Sequence, residues 1–257
     1  MVCQDIIKVL EILSPPEYAM EWDNVGLLVG RREKTIHKVL IAVDATMEVV
    51  DWAIDNKVDM IITHHPMIFS SLKKVNDDTV LGRKLISLIR EDIACYAMHT
   101  NYDTKGGMAR NAADMLGIKN QEVLEETLNQ EGIGQIGLLD KTMTVEELSV
   151  FTKEIFDLEN VMIYGDKKKK VDKIGVCPGS GKSVISEAVK KNVQCLITGD
   201  IGHHEGIDAV ELGLAIIDAS HYGMEKIFME HIYNYLKGYL KDVELYTMDT
   251  GVPFQVI

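Results

Sequence analysis

Short apolar runs alternate along this chain with longer stretches that repeat at helical spacing. Residues 39–43 (VLIAV), 60–63 (MIIT), 93–98 (IACYAM), 174–177 (IGVC), 195–198 (CLIT), 214–218 (LAIID) and 243–248 (VELYTM) have the length and continuity of strands, most of them buried on both faces. Amphipathic stretches lie between them at 47–56, 78–91, 108–116, 145–156, 183–191 and 224–240; in the last, Ile227, Phe228, Ile232, Tyr235 and Leu236 share one helical face. Strand and helix in turn predict an α/β fold with largely parallel sheets and flanking helices.

The two halves of the chain resemble each other. Residues 41–63 can be laid over 174–198 at an offset of 133 for the first strand and 135 for the second, and 93–98 over 214–219 at 121. This predicts two similar α/β units arising from an internal duplication, the first over residues 1–120 and the second over 171–257. Residues 121–170 then form a connection holding a strand (132–139), a helix (145–156) and another strand (160–164).

Composition narrows the function classes. The chain has 257 residues, 46% apolar, which is enough for a buried core and argues against disorder. With 40 acidic against 27 basic residues the formal charge is −13, which disfavours a generic nucleic-acid surface. Asp5, Lys8 and Glu11 interrupt the first 16 residues, and no run is apolar enough to span a membrane, so a cytoplasmic, non-membrane protein is expected. Cys3, Cys95, Cys177 and Cys195 show no CxxC spacing and are expected to be buried thiols.

Open α/β sheets place functional groups beyond the carboxyl ends of their strands. Six of the eight histidines follow strands here: His64 and His65, His99, His203 and His204, and His221. Asp103, Asp200 and Glu225 lie in the same segments. Successive extended residues point to opposite sides, and Pro66 biases His65 toward an extended backbone, so His64 and His65 are expected to hold separate ions. His221 and Glu225, four apart, meet on one face if the chain is helical from His221. Glu225 can bridge two metals and Asp103 complete the set, leaving about three protein ligands per ion and open positions, as in catalytic sites. Imidazole and carboxylate without thiolate suit zinc, iron, manganese, cobalt or nickel, with two divalent ions per subunit.

Other features read more plainly. His37 and His231 are taken as satisfied polar groups, and Trp22, Asp23 and Asn24 as a structural turn, with a role beside the metals as the alternative. The segment from Gly175 to Ser183 resembles a phosphate loop but has five residues, not four, before Gly181-Lys182-Ser183, and is read as a tight turn into a helix. The lysine run 167–170 is read as a solvated turn.

Seven segments together resemble the NIF-three-like dinuclear-metal family, the GTP cyclohydrolase 1 type 2 homologues. They are 21–30 (EWDNVGLLVG), 63–69 (THHPMIF), 99–103 (HTNYD) with Gly106-Gly107, 132–137 (GIGQIG), 198–200 (TGD) with His203-His204, 220–225 (SHYGME) and 249–254 (DTGVPF). The resemblance implies metal ligands His64, His65, Asp103, His221 and Glu225, with Glu225 touching both ions, and a toroidal homohexamer. It also implies hydrolytic opening of the GTP imidazole ring with loss of formate, a metal-bound hydroxide attacking and His99 or His204 passing protons. His203, Asp200 and Asn101 would support the ligands or touch a small-molecule, possibly nucleotide, substrate. Tyr102 and Gln135 depart from the residues relatives often carry, Leu and Arg. Two alternatives stay open: a phosphoesterase or amidohydrolase acting on another small substrate, and a non-catalytic hexameric metal-binding or regulatory scaffold.

Overall fold

The structure is a computed structural model that describes residues 1–256. In chain order the elements begin α1 (Cys3–Leu13), β1 (Gly26–Val29), β2 (Lys38–Ala42), α2 (Met47–Asp55), β3 (Met60–Thr63), α3 (Val80–Arg90) and β4 (Ala94–Ala97). They continue α4 (Met108–Met115), β5 (Lys119–Leu128), β6 (Glu131–Thr144), α5 (Val145–Phe156), β7 (Met162–Tyr164), β8 (Lys170–Ser180), α6 (Ile185–Lys190) and β9 (Cys195–Gly199). The last are α7 (His203–Glu211), β10 (Ala215–Asp218), α8 (His221–Glu225), α9 (Ile227–Tyr239) and β11 (Glu244–Thr247). The described residues form two compact units, one of residues 1–106 and 228–250, the other of 107–227 and 251–256.

The first unit holds a five-stranded sheet in the order β1-β4-β3-β2-β11. All its neighbours are parallel except β1, which runs against β4. Leu40, Ile61 and Cys95 on one face pack with Val49, Val50 and Ala53 of α2 and Leu85 and Leu88 of α3. The alternate residues Val39, Ile41, Met60 and Ile62 are buried too, which is why these strands read as unbroken apolar runs rather than alternating ones. Thr46 and Thr79 cap α2 and α3 by accepting from the amides of Val49 and Gly82.

The second unit holds a six-stranded sheet in the order β5-β6-β8-β9-β10-β7. Only β8, β9 and β10 are mutually parallel; β5, β6 and β7 join antiparallel. The expectation of largely parallel sheets therefore holds for the first unit, and the second sheet is mixed. Its core joins Ile136, Leu196 and Ile216 with Val184, Ile185 and Ala188 around α6. Thr144 and Glu147 form a reciprocal capping box that fixes the start of α5 at Val145.

Both units contain three parallel strands joined through helices, β2-α2-β3-α3-β4 in one and β8-α6-β9-α7-β10 in the other, as the offset segments suggested. The unit boundaries fall elsewhere than residues 120 and 170. Residues 121–170 supply three strands of the second sheet, and the last long helix with β11 belongs to the first unit, where β11 pairs with β2. An apolar run carries no mark of its partner, so these long-range pairings are not written in the local pattern. All four cysteines are buried, and burial pushes the thiols of Cys95 and Cys195 up to about 12, which makes these two packing groups rather than nucleophiles. No helix among the described residues is long and apolar enough to cross a membrane.

Candidate metal centre

In the first unit the functional groups follow β3 and β4. The amides of His64 and His65 both donate to the carbonyl of Val43, at 3.1 and 3.0 Å, and Thr63 Oγ1 donates to the His65 carbonyl at 2.8 Å. The backbone thus turns at the end of β3 instead of staying extended. Consequently the two rings do not diverge as an extended pair would; their centroids are 4.9 Å apart. His99, after β4, brings its ring within 5.2 Å of His64 and 5.5 Å of His65. Each of the three histidines offers a donor atom within 4.8 Å of the others.

Asp103 sits in a wide turn of π type over Tyr102–Gly106, whose first amides, of Tyr102 and Asp103, donate to the His99 carbonyl. The buried Tyr102 ring fills the inside of this turn. A Cβ on Gly106 would come within 2.2 Å of that ring, so the turn needs glycine there. The Tyr102 hydroxyl donates to His231 Nδ1, and Phe228 packs edge-on to the Tyr102 ring at 5.1 Å. His231 is therefore the satisfied polar group expected of it. Asp103 Oδ1 lies 3.6 Å from His64 Nε2.

The second unit supplies His221 and Glu225 on α8. The short helix begins at His221, so the four-residue spacing places His221 Nε2 3.1 Å from Glu225 Oε2. Ser220, just before it, has φ 59° and ψ 152°, a backbone region that residues other than glycine rarely enter. Three contacts hold it there. Asp218 Oδ1 accepts from the Ser220 amide at 3.0 Å, Asp218 Oδ2 accepts from the Ile201 amide at 2.9 Å, and Ser220 Oγ accepts from Gly223 at 3.0 Å. Burial pushes the Asp218 carboxyl above the ordinary carboxylate range against the pull of those amides. Gly179, in the loop that resembles a phosphate loop, has φ 77°, and a Cβ there would stand 2.4 Å from Glu225 Oε1. The loop is thus a close wall for Glu225, which is 3% exposed.

The hydrogen-bond partners assign the ring protons. Nδ1–H donates to the Met98 carbonyl from His64 (2.8 Å), to Asp44 Oδ1 from His65 (2.9 Å), to Asp23 Oδ1 from His99 (2.9 Å) and to Asp200 Oδ2 from His221 (2.8 Å). Each acceptor has no hydrogen to give, so the neutral rings carry their lone pair on Nε2. In His64–Asp103 and His221–Glu225 that lone pair then faces a carboxylate oxygen. Two electron-rich atoms at such distances are held together by a proton or a metal ion between them, and this donor set of imidazole and carboxylate is one that a divalent metal accepts.

The other predicted residues are placed as follows. Asp200 supports His221 as described, with φ 56° of its own. His203 and His204 open α7 with exposed rings 5.3 Å apart and belong to no metal-capable group among the described residues. Asn101 is fully buried and donates to the Ser14 carbonyl at 2.9 Å, a contact that ties α1 to the segment after β4. Sequence reasoning passed over Asp44 and Asp218 and took Asp23 for part of a turn. Asp23 also accepts from the Thr100 amide at 3.0 Å. Burial alone would raise its carboxyl, but the hydrogen bonds from His99 and Thr100 prevail and hold it at about 2. Its position carries no local signal; the family resemblance of residues 21–30 is the one sign that marked it.

The profile of the Duf34/NIF3 (NGG1p interacting factor 3) family matches residues 1–251. The chain belongs to the Duf34/NIF3 family. It is 38% identical over 226 residues to a GTP cyclohydrolase 1 type 2 homolog of Clostridium acetobutylicum, covering 86% of this chain and 84% of that protein. Among solved structures, a Bacillus cereus protein related to NIF3 is similar with a TM-score of 0.93 at 25% identity, covering 100% of this chain and 99% of that one. Reduced HcgD from Methanocaldococcus jannaschii is similar with a TM-score of 0.86 at 31% identity, over 97% and 98% of the two chains. This Duf34/NIF3 chain carries two groups of His and Glu side chains able to bind metal.

Proposed function

We propose that this Duf34/NIF3 protein is a metal-dependent hydrolase in which His64, His65 and Asp103 of the first unit and His221 and Glu225 of the second hold two divalent ions, Glu225 serving both. The observation that carries the reading is the uniform proton placement: four histidines present Nε2 as donor because Met98, Asp44, Asp23 and Asp200 have taken Nδ1. Bound divalent ions would supply Lewis acidity and bring the pKa of coordinated water toward neutrality.

The protein groups supply the rest. Asp44 and Asp200 fix the ring planes of His65 and His221 and raise their basicity. Burial of His64 and Glu225 keeps bulk water from competing for the same atoms. His99 stands beside the ligands with Asp23 on Nδ1, an arrangement in which Nε2 takes up a proton and Asp23 stabilises the imidazolium formed. By likeness to the GTP cyclohydrolase 1 type 2 homologs the reaction is opening of a purine imidazole ring with formate release, in a cytoplasmic homohexamer. Metal-reconstituted protein assayed with GTP for formate, beside a panel of phosphoesters and amides, tests this. Formate release lost in Glu225→Ala supports the cyclohydrolase; turnover of phosphoesters or amides alone overturns that part, and no turnover at full metal occupancy overturns the hydrolase.

A further inference from the structure

Beside the His64–His65–His99 group two aromatic rings stand in solvent. Trp22 is 62% exposed and Phe69 53% exposed. Their centroids are 6.1 Å apart with 19° between planes, an offset stack. Both meet the His99 ring nearly at right angles, Trp22 at 5.9 Å and 73°, Phe69 at 5.7 Å and 70°. Single exposed aromatics need no explanation, but a parallel pair bordering a metal-capable cluster is an organised surface.

The loops beneath are pinned by polar contacts while the rings stay open. Asn24 Nδ2 donates to the Ile68 carbonyl at 2.6 Å, joining the Trp22 loop to the Phe69 loop. Asp23, its side chain wholly buried, ties the same loop to His99 and Thr100. Met20 adds a hydrogen bond to Thr100 Oγ1 at 2.9 Å. The platform is thus set before any ligand arrives, which lowers the ordering cost of binding.

We propose that Trp22 and Phe69 form a stacking platform for the planar heteroaromatic ring of the substrate, and that His99 addresses the ring's edge. This deepens the proposed hydrolase and rests on it. The perpendicular relation is what selects a ring. A planar ligand lying flat on Trp22 stands steeply to the His99 ring, so its edge, where ring nitrogens and exocyclic groups are, can approach His99. An aliphatic chain or a protein surface gains nothing from that geometry. An aromatic face is worth about 1–3 kcal/mol per stacked base, roughly a five- to hundredfold change in affinity.

Trp52→Phe leaves Trp22 as the sole tryptophan, and its fluorescence is titrated with guanosine, adenosine and, as the ringless control, ribose. Saturable quenching by a purine nucleoside and none by ribose is expected. Trp22→Leu should weaken purine binding by about five- to hundredfold while Trp22→Phe, which keeps a stacking face, retains most of it, and metal content should be unchanged in both. Absence of saturable purine quenching, equal binding by Trp22→Leu, or a changed sedimentation coefficient in Trp22→Leu, which would mark the rings as a subunit interface, overturns the platform. Because binding is read without turnover and metal content separately, failure of the hydrolase leaves these results interpretable on their own.

Discussion

Asp44 Oδ1 lies 2.9 Å from His65 Nδ1, and this contact leaves the lone pair of the neutral His65 ring on Nε2. Asp44 follows the end of β2 while His65 follows β3, so the parallel pairing of neighbouring strands brings carboxylate and imidazole together. Asp44→Ala frees the tautomer and ring plane, and the expected result is a 10–100-fold loss of metal affinity with little change in fold. Calorimetric titration with zinc, alongside circular dichroism, checks it; unchanged affinity would mean that the contact has no influence on the site.

Gly179 sits where a side chain would displace the Glu225 carboxylate. Gly179→Ala places a Cβ 2.4 Å from Glu225 Oε1 and also imposes φ 77° on a residue that resists it. The expected outcome is lower metal occupancy together with a stability loss of about 1–2 kcal/mol from the backbone alone. Metal analysis and urea unfolding of the variant measure the two effects separately.

Ser220 stores strain next to His221. Its backbone angles suit glycine, at a cost of the order of 1–3 kcal/mol, whereas exchanging a serine cap for glycine costs only a few tenths. Ser220→Gly is therefore expected to stabilise the metal-free protein by about 1 kcal/mol, read from denaturant midpoints. A clear destabilisation would show that the cap to Gly223 outweighs the strain.

Asp23 makes stability depend on pH in acid. Its carboxyl is held at about 2 in the folded chain against an ordinary 3.8, so folding gains from its ionisation. That gain, about 2 kcal/mol, is complete above the ordinary value and is lost as pH falls through about 2. The difference in unfolding free energy between the wild type and Asp23→Asn should shrink as pH is lowered from about 5 toward 2. A difference that stays constant over this range would remove Asp23 as the source.

Much of this was legible in the sequence wherever burial on both faces wrote itself as an apolar run. The seven strands predicted from such runs, among them residues 60–63 and 195–198, are present, although β11 is exposed to half-buried along its length. Elements without such a signature escaped. β5 is an edge strand whose residues Glu122, Glu125 and Glu126 face solvent or lie half-buried, and it is held by backbone pairing to β6. α7 buries only Gly206 and Ala209, too little for an apolar face. At the site, strand ends marked the histidines and the helical spacing of His221 and Glu225. What the pattern could not show was the turn over Val43 that sets the His64 and His65 rings 4.9 Å apart, because it depends on a backbone bond between neighbouring strand ends. The acceptors Asp44 and Asp218 were hidden for the same reason, being polar residues whose partners are distant in sequence.

Metal stoichiometry tests the central claim most directly. Purified chain, stripped and reconstituted with zinc, is analysed for bound metal per folded chain together with Asp103→Ala and Glu225→Ala. The expected result is two equivalents in the wild type and reduced occupancy in each variant, with helix content unchanged. Fewer than two equivalents in the wild type, or two retained in Glu225→Ala, would contradict a dinuclear centre served by Glu225.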